Sequence, residues 1–111
     1  MARFQVKMNY YRVAPRKVRL VADLVRGRPV QEALDLLTFS PAASARDMAK
    51  LIRSAVANAD RTGGVDLDLL KVKLIWVDQG PTLRRSLPRA RGTASRINKK
   101  TSHVTVVLED Q

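Results

Sequence analysis

Two strand-forming runs, VKLIWV (Val72 to Val77) and HVTVVL (His103 to Leu108), are separated by 25 residues, and what fills that interval limits every fold open to the chain. Both runs are rich in the β-branched and aromatic residues that suit a half-buried sheet, so the two are made to pair. The interval, Asp78 to Ser102 (DQGPTLRRSLPRARGTASRINKKTS), carries seven basic side chains, one acid at its very start and only three large apolar residues, Leu83, Leu87 and Ile97. It has too little apolar surface for a core of its own. Structureless loops longer than roughly 12 to 15 residues are uncommon in compact domains. The interval therefore reads as a long β-ribbon whose arms continue the two strands outward and turn near Arg91, Gly92 and Thr93. At about 3.3 Å per residue, the run from Trp76 to Ala90 carries the tip roughly 45 Å beyond the body.

A free two-stranded ribbon has no apolar face to bury and is marginal in water, so a partner must supply its final shape. In this ribbon arginine outnumbers lysine five to two. The flat guanidinium forks onto phosphate oxygens and stacks on bases, which the lysine ammonium does poorly, and this points to nucleic acid. Pro81 and Pro88 would break an interior strand, but in a free ribbon each has an outward side where no N–H is needed. The competing reading is a solvated basic loop that serves only solubility.

With 111 residues the chain is expected to be a single domain, with a globular body over about 1–77 and 103–111 and the arm over about 78–102. The formal net charge of +11 suits a polyanionic partner, and its distribution is sharper than its total. Residues 1–28 carry +7, residues 29–79 carry −1, residues 80–103 carry +7 with no acid, and residues 104–111 carry −2. The middle of the chain is neutral and its flanks are basic. There is no cysteine, which excludes disulfides and thiolate metal sites and fits a reducing compartment. No apolar run approaches the roughly 20 residues that span a bilayer, and the N-terminus has no apolar signal core. A cytoplasmic protein without membrane contact is expected.

In RFQVKMNYY (residues 3–11) Phe4, Val6, Met8 and Tyr10 alternate with Arg3, Gln5, Lys7, Asn9 and Tyr11, the pattern of a half-buried strand. Pro15 opens a helix in which Val18, Val21, Ala22 and Val25 make one stripe, widened by Leu20 and Leu24, and Gly27 supplies the stop. Arg16, Arg19 and Arg26 fall on its other side, with Lys17 at the margin. Pro29 starts a short helix with Val30, Ala33, Leu34 and Leu37 inward. Ser40 and Pro41 read as N-cap and first position of a third helix, with Ala45, Met48, Ala49, Ile52, Ala55, Val56 and Ala59 on one side and an end before Gly63-Gly64. Arg46, Lys50 and Arg53 form a second stripe on that helix. Val72, Leu74 and Trp76 are expected on one face of the next strand, with Trp76 packed in the core or at the root of the arm. The fold class is α+β: three helices packed on a small three-stranded antiparallel sheet, with a long protruding basic β-hairpin.

Catalysis needs a positioned acid, base, nucleophile or metal, and the chain offers little. His103 is the only histidine, and one histidine at the start of a strand is more often structural than an RNA-cleaving base beside Lys99 and Lys100. Asp66 and Asp68 read as a polar turn before a strand rather than a metal site. No phosphate-binding glycine loop appears. No enzyme, cofactor or metal is expected.

Four motifs then carry a family likeness: PRKVRLVADLVRG (Pro15 to Gly27), SAVANA (Ser54 to Ala59), VDQGPTLRRSLPRARG (Val77 to Gly92) and KTSHVTVVL (Lys100 to Leu108). In this order and spacing the chain resembles the bacterial ribosomal large-subunit protein twenty-two family, from about Phe4 to Leu108. The resemblance implies a structural constituent of the large ribosomal subunit that binds ribosomal RNA, supports assembly and remains ribosome-bound among neighbouring ribosomal proteins. It further implies that the arm runs inward through RNA and that its tip lines the nascent-peptide exit tunnel, near where macrolide antibiotics lodge. Mapped here, the tip is Pro88, Arg89, Ala90, Arg91, Gly92, Thr93 and Ala94. The RNA-binding residues are Arg89 and Arg91 at the tip, Arg84, Arg85, Arg96, Lys99 and Lys100 on the shafts, and Arg16, Lys17 and Arg19 on the body. The chain departs from the family pattern at Ala14, where many relatives carry a capping serine. It departs again at Thr93 and Ser95, where relatives often have an arginine and an acid, and at Lys100, which replaces a common arginine.

Composition and ribbon alone also fit an architectural DNA-binding protein whose basic arms enter the minor groove, with Pro88 as a wedge. Such proteins are usually two-fold dimers, so a monomer argues against that reading.

Overall fold

In the computed structural model, residues 3–88 and 94–110 are described. The order is β1 (Arg3–Tyr11), α1 (Pro15–Val25), α2 (Val30–Thr38), α3 (Ala43–Thr62), a single 3₁₀ turn (Leu67–Leu69), β2 (Lys71–Gln79), β3 (Leu83–Pro88), β4 (Ala94–Lys99) and β5 (Ser102–Glu109). β1, β5 and β2 form an antiparallel sheet in that spatial order, while β3 and β4 form a two-stranded antiparallel sheet of their own. One layer of helices covers the three-stranded sheet: α1 lies over β2, α3 over β1 and β5, and α2 against α3 and α1. The long dimension is 66 Å against 25 and 18 Å for the other two.

The helices bury the stripes their periodicity predicts. Val18, Val21, Ala22 and Val25 of α1, Val30, Ala33 and Leu37 of α2, and Ala45, Met48, Ala49, Ile52, Ala55 and Ala59 of α3 all face the core. The alanines of α3 let that helix approach the sheet closely. Leu20 and Leu24 do not widen the α1 stripe: they are 68% and 43% exposed, because at 3.6 residues per turn they project away from the side that holds Val18, Val21, Ala22 and Val25. The third helix starts at Ala43, two residues later than the Ser40-Pro41 pair suggests. The Ser40 hydroxyl instead accepts the Ala42 N–H at 3.3 Å, a local turn that competes with capping.

Register shifts overturn two face assignments. Val72 pairs with Leu108 and Leu74 with Val107, so Lys73 is an extra residue on β2. A bulge of this kind reverses the alternation beyond it. Val72, Ile75 and Val77 therefore point into the core, and Leu74 and Trp76 are turned outward, 44% and 38% exposed. In β1 the pairing jumps from Met8 opposite Val104 to Tyr11 opposite Ser102, with Tyr10 at φ 57°. Tyr10 is thereby exposed, and Tyr11 takes the inward position, its hydroxyl donating to Asp47 Oδ2 at 2.5 Å. Burial, then the hydrogen bond and charge of Asp47, raises the Tyr11 phenol above its ordinary pKa.

As an edge strand, β2 offers unpaired backbone groups, and the chain after α1 covers them. Gly27 N–H donates to Val72 O at 2.8 Å, Val72 N–H to Arg28 O at 2.9 Å, and Val30 N–H to Leu70 O at 3.1 Å. Further along, Arg26 Nη2 donates to Ile75 O at 3.0 Å and Arg19 Nη2 to Val77 O at 3.0 Å. The basic side of α1 thus seals the sheet edge. At the far side of the body, Asp66 Oδ1 accepts the Asp68 N–H at 3.0 Å and caps the 3₁₀ turn, so these acids close a polar turn.

Candidate nucleic-acid interface

The arm does not simply continue the body strands. β2 ends at Gln79 and β3 starts at Leu83, while on the return β4 ends at Lys99 and β5 starts at Ser102. The sheet is broken at Gly80, Pro81 and Thr82 on one side and at Lys100 and Thr101 on the other. Proline supplies the physical reason, since Pro81 has no N–H to hold a ladder there. Within the ribbon the pairing runs unshifted from Leu83 opposite Lys99 to Pro88 opposite Ala94, with Arg84 opposite Asn98, Arg85 opposite Ile97 and Ser86 opposite Arg96. The tip residues Arg89, Ala90, Arg91, Gly92 and Thr93 lie outside the described residues, and Pro88 and Ala94 are the last pair before them.

The break is latched. Gly80 N–H donates to Thr101 O at 2.9 Å, and the Thr101 hydroxyl donates to Pro81 O at 2.6 Å. Ser102 Oγ donates to Val13 O at 2.5 Å and ties the returning strand to the turn between β1 and α1. A side chain at Gly80 would force the root to shift: a Cβ there would lie 2.5 Å from Thr101 Oγ1 and 3.1 Å from His103 Nε2. His103 is part of the same packing. Its Nδ1 accepts the Tyr10 N–H at 3.1 Å, and the Tyr10 ring meets it edge-on with centroids 4.9 Å apart. The imidazole therefore joins β1 to the arm root through Nδ1, and its Nε2 edge lies against Gly80.

The sequence-predicted body residues divide. Arg19 spends two donors on Val77 O, at 3.3 Å from Nε and 3.0 Å from Nη2, and so has a structural post whatever else it touches. Arg16 and Lys17 are exposed on the first turn of α1. Lys17 is brought beside Lys99 and Lys100 from the arm's return strand, where all three line one cleft together with Arg12. Sequence reasoning missed Arg12. It stands in the turn between β1 and α1, and only the helix-opening Pro15 three residues on marks that turn in the sequence. The remaining arm cations Arg84, Arg85 and Arg96 lie along β3 and β4.

Comparison with known sequences shows the family. The sequence profile of the family described as Ribosomal protein L22p/L17e matches residues 6–109. The chain is 56% identical over 107 residues to the large ribosomal subunit protein uL22 of Geobacter metallireducens, covering 96% of this chain and 97% of the relative. It is 57% identical over 105 residues to the uL22 of Geobacter sulfurreducens, covering 95% of each, and 62% identical over 102 residues to that of an Anaeromyxobacter species, covering 91% of this chain and 71% of the relative. With the profile spanning both the helical body and the arm, the chain belongs to the ribosomal protein L22p/L17e family.

Proposed function

We propose that this chain is a structural constituent of the large ribosomal subunit, without enzymatic activity, that binds large-subunit ribosomal RNA and supports its assembly. The observation that carries the reading is the arm: a two-stranded sheet of its own, in a segment of +7 net charge and no acid between residues 80 and 103. Such a ribbon neutralises phosphates along its length, and RNA is bound by shape and backbone rather than through a base code. Arg84, Arg85, Arg96, Lys99 and Lys100 serve as the shaft contacts, with Arg16, Lys17 and Arg19 on the body. The tip, Pro88 to Ala94, lines the nascent-peptide exit tunnel, with Arg89, Arg91 and Gly92 nearest the passage. Its partners are ribosomal RNA, neighbouring ribosomal proteins and the passing nascent peptide, and its location is the ribosome.

Two experiments test the two levels of this reading. A tagged chain sedimented through a high-salt sucrose gradient should stay with the large subunit; release from it, or travel with chromosomal DNA, would remove the ribosomal role. A photo-cross-linking residue in place of Arg91 should capture a stalled nascent peptide. Cross-links to RNA or proteins alone would leave the ribosomal role standing and remove the tunnel assignment.

A further inference from the structure

Beside the arm root is an open cleft of about 390 Å³ whose polar side chains, among the described residues, are all cationic: Arg12, Lys17, Lys99 and Lys100. These four come from three places in the chain, the turn after β1, the first turn of α1 and the end of the arm's return strand. Some body cations meet acids: Arg3 meets Glu109 at 3.9 Å, Arg26 meets Asp23 at 2.5 Å and Arg28 meets Glu32 at 2.7 Å. None of the four cleft cations has such a bridge among the described residues. Like charges gathered on one concavity repel one another unless an anion sits among them, and the field they create is strongest inside the concavity.

The cleft is also held in shape. Its apolar wall includes Ala14, the residue before α1, and Ala43, the first residue of α3. Neither helix has a side-chain cap or an acid in its first turn, so both dipoles add positive potential to that of the four side chains. The Ser102–Val13 hydrogen bond ties the start of β5, two residues beyond Lys100, to the turn carrying Arg12.

We propose that this cleft seats a phosphate of the RNA backbone, which joins body and arm through their shared cations and fixes the direction of the arm. The proposal rests on the RNA-binding reading above and adds to it a defined site and a residue, Arg12, that the motifs do not mark. The seat fits a phosphodiester because its described side chains offer point charges from lysine, one guanidinium fork and no side-chain acceptor to discriminate among bases.

The test uses the full-length chain and large-subunit ribosomal RNA. A variant combining Arg12→Gln, Lys17→Gln and Lys100→Gln is compared with one combining Arg61→Gln, Lys71→Gln and Lys73→Gln, which removes equal charge outside the cleft. Over a salt series the cleft variant should lower the slope of log affinity against log salt by about 0.7 to 0.9 per phosphate lost, and it should bind roughly tenfold more weakly at fixed salt. The second variant should stay close to the parent. Independently of any variant, inorganic phosphate titrated into the isotope-labelled chain should give saturable NMR shifts confined to amides near Arg12, Lys17, Ala43 and Lys100. A cleft variant indistinguishable from the charge-matched control, or shifts that rise without saturation across all basic residues, would overturn the seat while leaving RNA binding intact. Failure of the parent chain to bind the RNA would instead remove the broader reading, and the phosphate titration would still decide the cleft.

Discussion

The body and the arm solve the problem of burial in opposite ways. Met48, Ile52, Val104, Val106 and Leu108 are at most 1% exposed, and the helices and sheet that hold them enclose their own apolar surface. The arm is two strands paired with each other, in a stretch where cations outnumber large apolar residues. The body therefore carries its stability within itself, whereas a lone two-stranded ribbon is marginal in water and, on the function proposed above, gains its stability from RNA. The difference teaches that one chain can hold two kinds of instruction, one written in hydrophobic period and one in charge. The junction, with Gly80, Thr101 and His103, is where they meet.

That contrast can be broken or sharpened by substitution, beginning with the largest effect. Ile52→Ala removes a fully buried side chain and should cost about 2 to 5 kcal/mol in the unfolding free energy measured by denaturant titration. Deleting residues 83–97 should leave the body's thermal transition within a few degrees of the parent; loss of that transition would show that the arm is part of the body's core. Next in size is the root. Gly80→Ala places a Cβ against Thr101 Oγ1, so the latch to Pro81 O must open, and a loss of about 1 to 3 kcal/mol is expected. An altered body-to-arm distance by electron-spin spacing measurements should accompany it.

Smaller effects lie within the body. Ala14→Ser supplies the side-chain cap that α1 lacks and should raise stability by about 1 kcal/mol in the same titration. For Tyr11 the folded state holds the phenol above its unfolded value of about 10, so the unfolded chain loses that proton first as pH rises. The stabilising contribution is complete below about pH 10 and declines above it. Unfolding free energies from pH 9 upward should therefore fall more steeply for the parent than for Tyr11→Phe, and parallel curves would remove Tyr11 from the account.

The helices and their inward stripes were legible because their apolar spacing is regular and proline or glycine stands near most of the ends. What escaped were departures of a single residue. Lys73 as a bulge and Tyr10 at positive φ leave no mark on composition, yet each turns the side chains beyond it to the other face, which is why Trp76 emerges outside. The arm's existence and charge were legible from the gap between two matched strands. Its separation into a second sheet was signalled only by Gly80-Pro81. Arg12 was missed because a cleft made from residues 12, 17, 99 and 100 depends on tertiary closure.

The most direct test of the division between body and arm is amide hydrogen exchange on the chain alone and within the large subunit. Amides of α1, α3 and β5 should be protected in both states, while those of residues 83–88 and 94–99 should exchange quickly in the free chain and slowly in the ribosome. Protection of the arm in the free chain, or a body that becomes protected only in the ribosome, would contradict the account.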